Sequence, residues 1–261
     1  MPMTGSGLGL DITLGSRPAY EPEALALFAR MAAPPDARRK GLINTLIAGL
    51  KQAGVWSRLD AFYMLAAHTA QAARLNWVAD AYNLTPVNGP AFEVDRGYTG
   101  NGFNAYLDTG FNPATAGGKF TLNDAHLGVW CLTNVAEDKN DIGNLNARIF
   151  ARTAASAISG RMNDGIAPTI LPAAATSVGH TIFARNSAVS YRIHKDGINQ
   201  ATPPNGSATV ASSNFWVAGA NGGNHCTKQI AASHFGSCLD GANVVQTTSA
   251  LRSYLTSVGA P

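Results

Sequence analysis

From Val189 to His194 apolar and polar residues alternate, with Val189, Tyr191 and Ile193 set against Ser190, Arg192 and His194. A period of two marks a strand with one buried face and one wet face. Asp196-Gly197 follows at once, and glycine accepts the positive φ of a tight primed turn. Residues 180–204 therefore predict adjacent antiparallel strands joined by a hairpin. Near the N-terminal end the period lengthens. Pro22 suits the first turn of a helix carrying Leu25, Leu27, Phe28 and Met31, which Pro34-Pro35 stops. A second helix beginning near Asp36 puts Leu42, Ile43, Leu46, Ile47 and Leu50 on one stripe, with Gly54 as its end. Such a hairpin is too small to hold a core alone, so it must pack on the β-domain or on a partner.

Leu59 to Leu65 reads as the first strand of the main domain, and Thr69 caps a short helical turn. After Asn83 short strands alternate with Gly, Asn and Pro turns: NLTPVN, PAFEVD, AYLDTGF, HLGVWCLT, ARIFART, TSVGHTIFAR, NFWVAGA and IAASHF. This spacing predicts a mainly β sandwich or barrel. Helical spacing returns from Asp240, a potential N-cap, to Val258, with Gly259 as the stop. The expected organisation is a Gly-rich leader (1–20), a helical hairpin (21–56) and a β-domain (57–261).

Composition narrows the function. Charged residues make up 13% of the 261, about half of what soluble domains usually carry. A surface this poor in charge suits one covered in an assembly, so a homo-oligomer is expected. The net charge of +3, with no basic run beyond Arg38-Arg39-Lys40, excludes a nucleic-acid footprint. MPMTGSGLGLDITLG has neither a basic nor an apolar signal region, and no window is apolar enough to span a bilayer. The expectation is a protein made in the cytoplasm that stays soluble or leaves by lysis. Cys131, Cys226 and Cys238 are an odd number and read as buried free thiols, with a Cys226–Cys238 pair left open. His225, Cys226, His234 and Cys238 fit no closed zinc spacing.

Four landmarks occur in order: GYTGNGFNAYLDTGFNP (97–113), FTLNDAHLGVWC (120–131), YRIHKDGINQ (191–200) and IAASHFGSCLDGANVVQTTSAL (230–251). Together they resemble laminin G-like and concanavalin A-like domains over residues 57–258. The resemblance implies a two-sheet antiparallel jelly roll. The block from Ala24 to Trp77 further resembles the front end of concanavalin A-like proteins of tailed phages and prophages. That likeness implies a structural tail, fibre or other virion-surface component, with other virion proteins as partners through the N-terminal segment.

Concanavalin A-like folds include glycosidases, which need two carboxylates flanking the scissile bond, about 5 to 5.5 Å apart for retention. Glu93-Val94-Asp95 resembles part of the Glu-x-Asp-x-x-Glu strand of laminarinase-like hydrolases, but position 98 is Tyr98 and the third carboxylate is missing. The chain has four Glu in all and no nucleophile-elbow, zincin or phosphate-loop motif. The expectation is a non-enzymatic protein without a cofactor. Lectin relatives imply a calcium alternative at Asp138, Asn140 and Asp141, whose oxygens are hard ligands. Glycan binding needs an aromatic surface and planar polar groups, and the strand faces offer His126, Trp130, Arg192, His194, Trp216 and His234. Binding of a bacterial surface glycan is thus the alternative to a purely architectural role.

Overall fold

The computed structural model describes residues 20–166, 168–221 and 223–260, so residues 1–19 of the expected leader lie outside it. Both helices of the hairpin form where the apolar spacing puts them. Helix α1 spans Pro22–Arg30 and α2 spans Ala37–Gln52, with the Asp36 carboxylate accepting from the Arg39 amide. A short α3 (Ala70–Ala73) is capped by Thr69. Helix α4 (Gly241–Val258) is capped by Asp240 and ends on left-handed Gly259.

The first sheet contains eight strands. They are β1 (Leu59–Met64), β3 (Ala91–Glu93), β4 (Gly97–Thr99), β6 (Ala125–Cys131), β11 (Gly179–Arg185), β12 (Arg192–Lys195), β13 (Ile198–Ala201) and β15 (Gln229–Gly236). The second contains seven: β2 (Thr85–Val87), β5 (Tyr106–Asp108), β7 (Ile142–Gly143), β8 (Ala147–Phe150), β9 (Ile158–Met162), β10 (Thr169–Leu171) and β14 (Trp216–Val217). Every named pairing is antiparallel. The molecule is the mainly β, two-sheet antiparallel sandwich that the landmarks imply. Leu127, Val129, Phe183, Ile193 and Phe235 of the first sheet share one core with Leu107, Ile142, Ile149 and Val217 of the second.

The hairpin at Asp196-Gly197 forms as written, with φ of 51° and 86°, both in the left-handed region that a primed turn requires. Two details differ from the alternation around it. Val189 is 69% exposed and precedes the strand, because β12 starts only at Arg192. The reason is Arg185, a fully buried side chain whose guanidinium donates to the carbonyls of Ser187 and Ser190 and holds that loop around itself.

The second difference is larger. The period-two pattern predicts a wet outer face, yet His194 on that face is buried, and so are its neighbours on β6, β11 and β15. Helices α2 and α4 cover the face. Thr248 of α4 bonds His180, Arg252 lies over the Trp130 ring at 5.0 Å, and Tyr254 packs edge-on against Trp77, which in turn packs on Phe62. The hairpin residues Leu27, Ile43, Leu46, Ile47 and Leu50 belong to the same apolar cluster as the sandwich. The molecule is therefore three layers deep, helices on sheet on sheet. Among the described residues, no helix covers the outer face of the second sheet.

Candidate functional site

The register places the six glycan candidates on two opposite sides. His126 and Trp130 of β6, Arg192 and His194 of β12 and His234 of β15 all point to the helix-covered face of the first sheet. His126, Trp130, His194 and His234 are buried there. They form no exposed platform, because a helix occupies the space a sugar would need. Arg192 is half-buried, with one guanidinium nitrogen 3.6 Å from Cys238 Sγ. Trp216 alone sits on the helix-free side.

The buried histidines make an ordered chain instead. His126 Nδ1 meets the Ser237 carbonyl, His126 Nε2 lies 2.9 Å from His234 Nδ1, His234 Nε2 lies 2.9 Å from His180 Nε2, and His180 Nδ1 lies 2.8 Å from Thr248 Oγ1. A carbonyl only accepts, so His126 must carry its proton on Nδ1, and each next ring donates in turn. The direction of every bond is fixed from one end. Burial pushes His126 down to about 4 and places His180 and His234 well below the ordinary histidine range. Gly128 makes the chain possible: a Cβ there would stand 2.3 Å from the His234 ring.

The loop of hard-oxygen candidates is also occupied from within. Asp138 accepts the Ala154 amide, Asn140 is buried and bridges to His225, and Asp141 accepts the Ala151 amide. The other Asp141 oxygen lies 3.0 Å from Lys228 Nζ, which also reaches Glu137 at 3.3 Å. Glu137, Asp141 and Cys226 are close enough together to hold an ion, but the buried ammonium of Lys228 already stands among the carboxylates. Burial works against that charge, and Asp141 leads the groups that outweigh it, so Lys228 stays protonated. Removing the ammonium leaves Asp141 buried and unpaired. Lys228→Met is therefore expected to cost about 3 to 5 kcal/mol in a urea melt, and an unchanged midpoint would show the pair to be dispensable.

Glu93 and Asp95 lie at the β3–β4 turn and have structural partners. Glu93 accepts from Gln229 Nε2 at 2.7 Å, and Asp95, with φ of 60°, is bound by Arg39 at 2.8 Å. Cys131, Cys226 and Cys238 are free and buried.

The helix-free face of the second sheet brings together groups that the sequence scattered. Tyr106 of β5 stacks on Trp216 of β14 with ring centroids 3.9 Å apart. His225 stacks beside both, at 5.2 Å from Tyr106 and 5.9 Å from Trp216. Asp108 flanks the rings and accepts from Asn214 Nδ2 at 3.0 Å. Tyr106, Trp216, Asp108 and Asn214 are all half-exposed. Desolvation, then Lys139, lowers His225, so its ring is neutral at pH 7. Trp216 was legible as an aromatic on a strand. Tyr106 and His225 were not joined to it, because their contact depends on which short strands pair.

The fold has solved counterparts. The chain is similar to the receptor-binding domain of botulinum neurotoxin C/D mosaic serotype (TM-score 0.53, 8% identity, 74% of this chain and 51% of that one). It is similar to the botulinum neurotoxin serotype D binding domain (0.52, 8%, 74% and 52%). A Trypanosoma rangeli sialidase mutant displaying trans-sialidase activity matches at 0.50 and 12% identity, over 82% of this chain and 39% of the sialidase. This chain thus spans about half of the toxin chains and less of the sialidase. These neighbours contain lectin-like β-sandwich domains, and at such identities the likeness concerns the fold alone. Neither a family model nor a curated protein sequence matches the chain. No helix among the described residues is long and apolar enough to cross a membrane.

Proposed function

We propose that this protein is a non-enzymatic glycan-binding module whose ligand lies across the outer face of the second sheet. The observation that carries the reading is the Tyr106–Trp216 stack, partly exposed with the buried His225 ring beside it, on a sheet face that no helix among the described residues covers and bordered by the planar polar groups of Asp108 and Asn214. Aromatic rings take the C–H face of a sugar, and planar acceptors and donors fix its hydroxyls. Trp216→Ala is expected to weaken binding to a host-type surface polysaccharide at least tenfold while shifting the melting temperature little, because the ring is only half-buried. Unchanged affinity would remove this face from consideration.

The non-enzymatic part has its own support: Glu93 and Asp95 are each engaged by a basic or amide side chain, and neither faces the aromatic stack's row of strand partners. Prolonged incubation with bound polysaccharide is expected to release no new reducing ends, and release that Glu93→Gln abolishes would make the protein an enzyme.

A second, compatible reading is that the module belongs to a phage particle, held there by its N-terminal segment against other virion proteins and repeated as a homo-oligomer. The low charge content supports it. So does the separation of sides, since the helical layer and the Trp216 face lie on opposite surfaces of the sandwich. Detection of the chain by mass spectrometry in purified particles is expected, and its absence from them would end this reading.

A further inference from the structure

Resting on the glycan-binding reading above, we propose that the ligand is an acidic saccharide whose carboxylate is held by Arg148 and Arg161. The argument begins with register. Trp216 is the direct partner of Gly143, Gly143 of Arg148, and Arg148 of Arg161. Direct partners point to the same side of a sheet, so both guanidiniums leave it on the side of the indole. Burial agrees: Ala147, Ile149 and Met162, the alternate neighbours, are in the core, whereas Arg148 and Arg161 are half-exposed. Gly143 puts no side chain between the ring and the arginines. Trp216 and Arg148 stand two strands apart, about 10 Å at ordinary strand spacing, which is the span of a disaccharide.

Two like charges directly opposite on neighbouring strands repel, and the fold offsets this only in part, through the Phe150 ring 5.6 Å beneath the Arg148 guanidinium and the buried Asp164 carboxylate, which acts on both arginines. Among the described residues Arg148 has no ion pair, and Arg161 has only Asp164, with Nε 4.0 Å from Oδ1. The Nε atoms of both arginines and Nε1 of Trp216 are out of solvent and without a hydrogen-bond partner. Unpaired buried donors cost free energy, and three in one row facing the same side are a demand for an acceptor. Desolvation first, and Arg161 second, lower the Arg148 guanidinium from its ordinary value. A carboxylate answers the two arginines: it neutralises the pair and offers two coplanar oxygens to a planar fork. The sugar ring that carries it then lies over Gly143 towards Trp216.

The test uses the full chain and four polymers in titration calorimetry: polygalacturonate, its full methyl ester, dextran sulfate and dextran. Polygalacturonate is expected to bind at least tenfold more tightly than its methyl ester. Arg148→Gln and Arg161→Gln should each abolish that preference, with Arg148→Lys restoring part of it. The melting temperature of the unliganded Arg148→Gln protein should stay level or rise, because the variant removes a repulsion, whereas a merely structural arginine would lower it. Equal binding of acid and ester, a preference that survives the double glutamine variant, or dextran sulfate binding as tightly as polygalacturonate would each overturn the inference. Trp216-dependent binding with no acid preference would remove the anion site and leave the glycan reading standing. No Trp216-dependent binding to any of the four would remove both.

Discussion

A fragment beginning at residue 57 is expected to be insoluble or unfolded. Leu27, Met31, Ile43, Leu46, Ile47, Leu50 and Val55 are buried against the sandwich and α4. At about 1.5 to 3 kcal/mol for each fully buried aliphatic side chain, their loss amounts to on the order of 10 kcal/mol, even after allowance for a compact unfolded state. That is comparable to the whole stability of a folded protein, roughly 5 to 15 kcal/mol. Polar ties go with them: Arg39 to Asp95, Arg30 to the Asn76 carbonyl, and Asn243 to the Ala53 carbonyl. Expression of 57–261 beside the full chain, read by sedimentation and circular dichroism, checks this. A monomeric fragment with a cooperative melt would show the hairpin to be an appendage after all.

The second large effect is a loss of stability in mild acid. In the folded protein His126 and His194 are held down to about 4, in each case by burial first, while the unfolded chain titrates near 6.5. Above pH 6.5 both states are neutral and stability is full. As pH falls from 6.5 towards 4 the unfolded state gains protons that the folded state refuses, so stability drops by about 3 kcal/mol for each such histidine. His180 and His234 act in the same direction. The geometry is less restrictive than the desolvation. One extra proton could sit between His180 and Thr248 if the hydroxyl turned to the Val244 carbonyl 2.8 Å away, and a second would have no acceptor. Urea midpoints at pH 7.5, 6.0 and 4.5 should fall in that order, and a flat series would mean that the rings titrate freely. Glu23, whose carboxyl is lowered chiefly by the hydrogen bond from Lys51, begins to lose its contribution as the pH falls through its ordinary value of 4.5, at the lower end of this window.

What could be read from the chain was what depends on local pattern. The four helices, the caps at Thr69 and Asp240, the Asp196-Gly197 turn and the long strands β6, β11 and β15 all carry strong periodicity or a specific turn residue. Strands β4, β7, β9 and β10 were not legible. Ile142–Gly143 is two residues long, and Ile158–Met162 interrupts its alternation with Gly160, whose missing side chain admits the Phe183 ring. The candidate site failed for a related reason. Alternation distinguishes the two faces of a strand but not what covers the polar one, and histidines bonded to one another beneath a helix look in sequence like histidines facing water. The row from Trp216 to Arg161 joins residues of four strands, and two of those strands, β7 and β9, gave no signal of their own.

The helical cover on one sheet also gives the molecule a handle. Val245, Gln246 and Ser249 lie on the solvent side of α4, across the full thickness of the sandwich from Trp216. A biotin or a dye attached there would leave the opposite surface unobstructed. On a sensor chip the molecules would then stand in one orientation, all presenting the same side to whatever flows past.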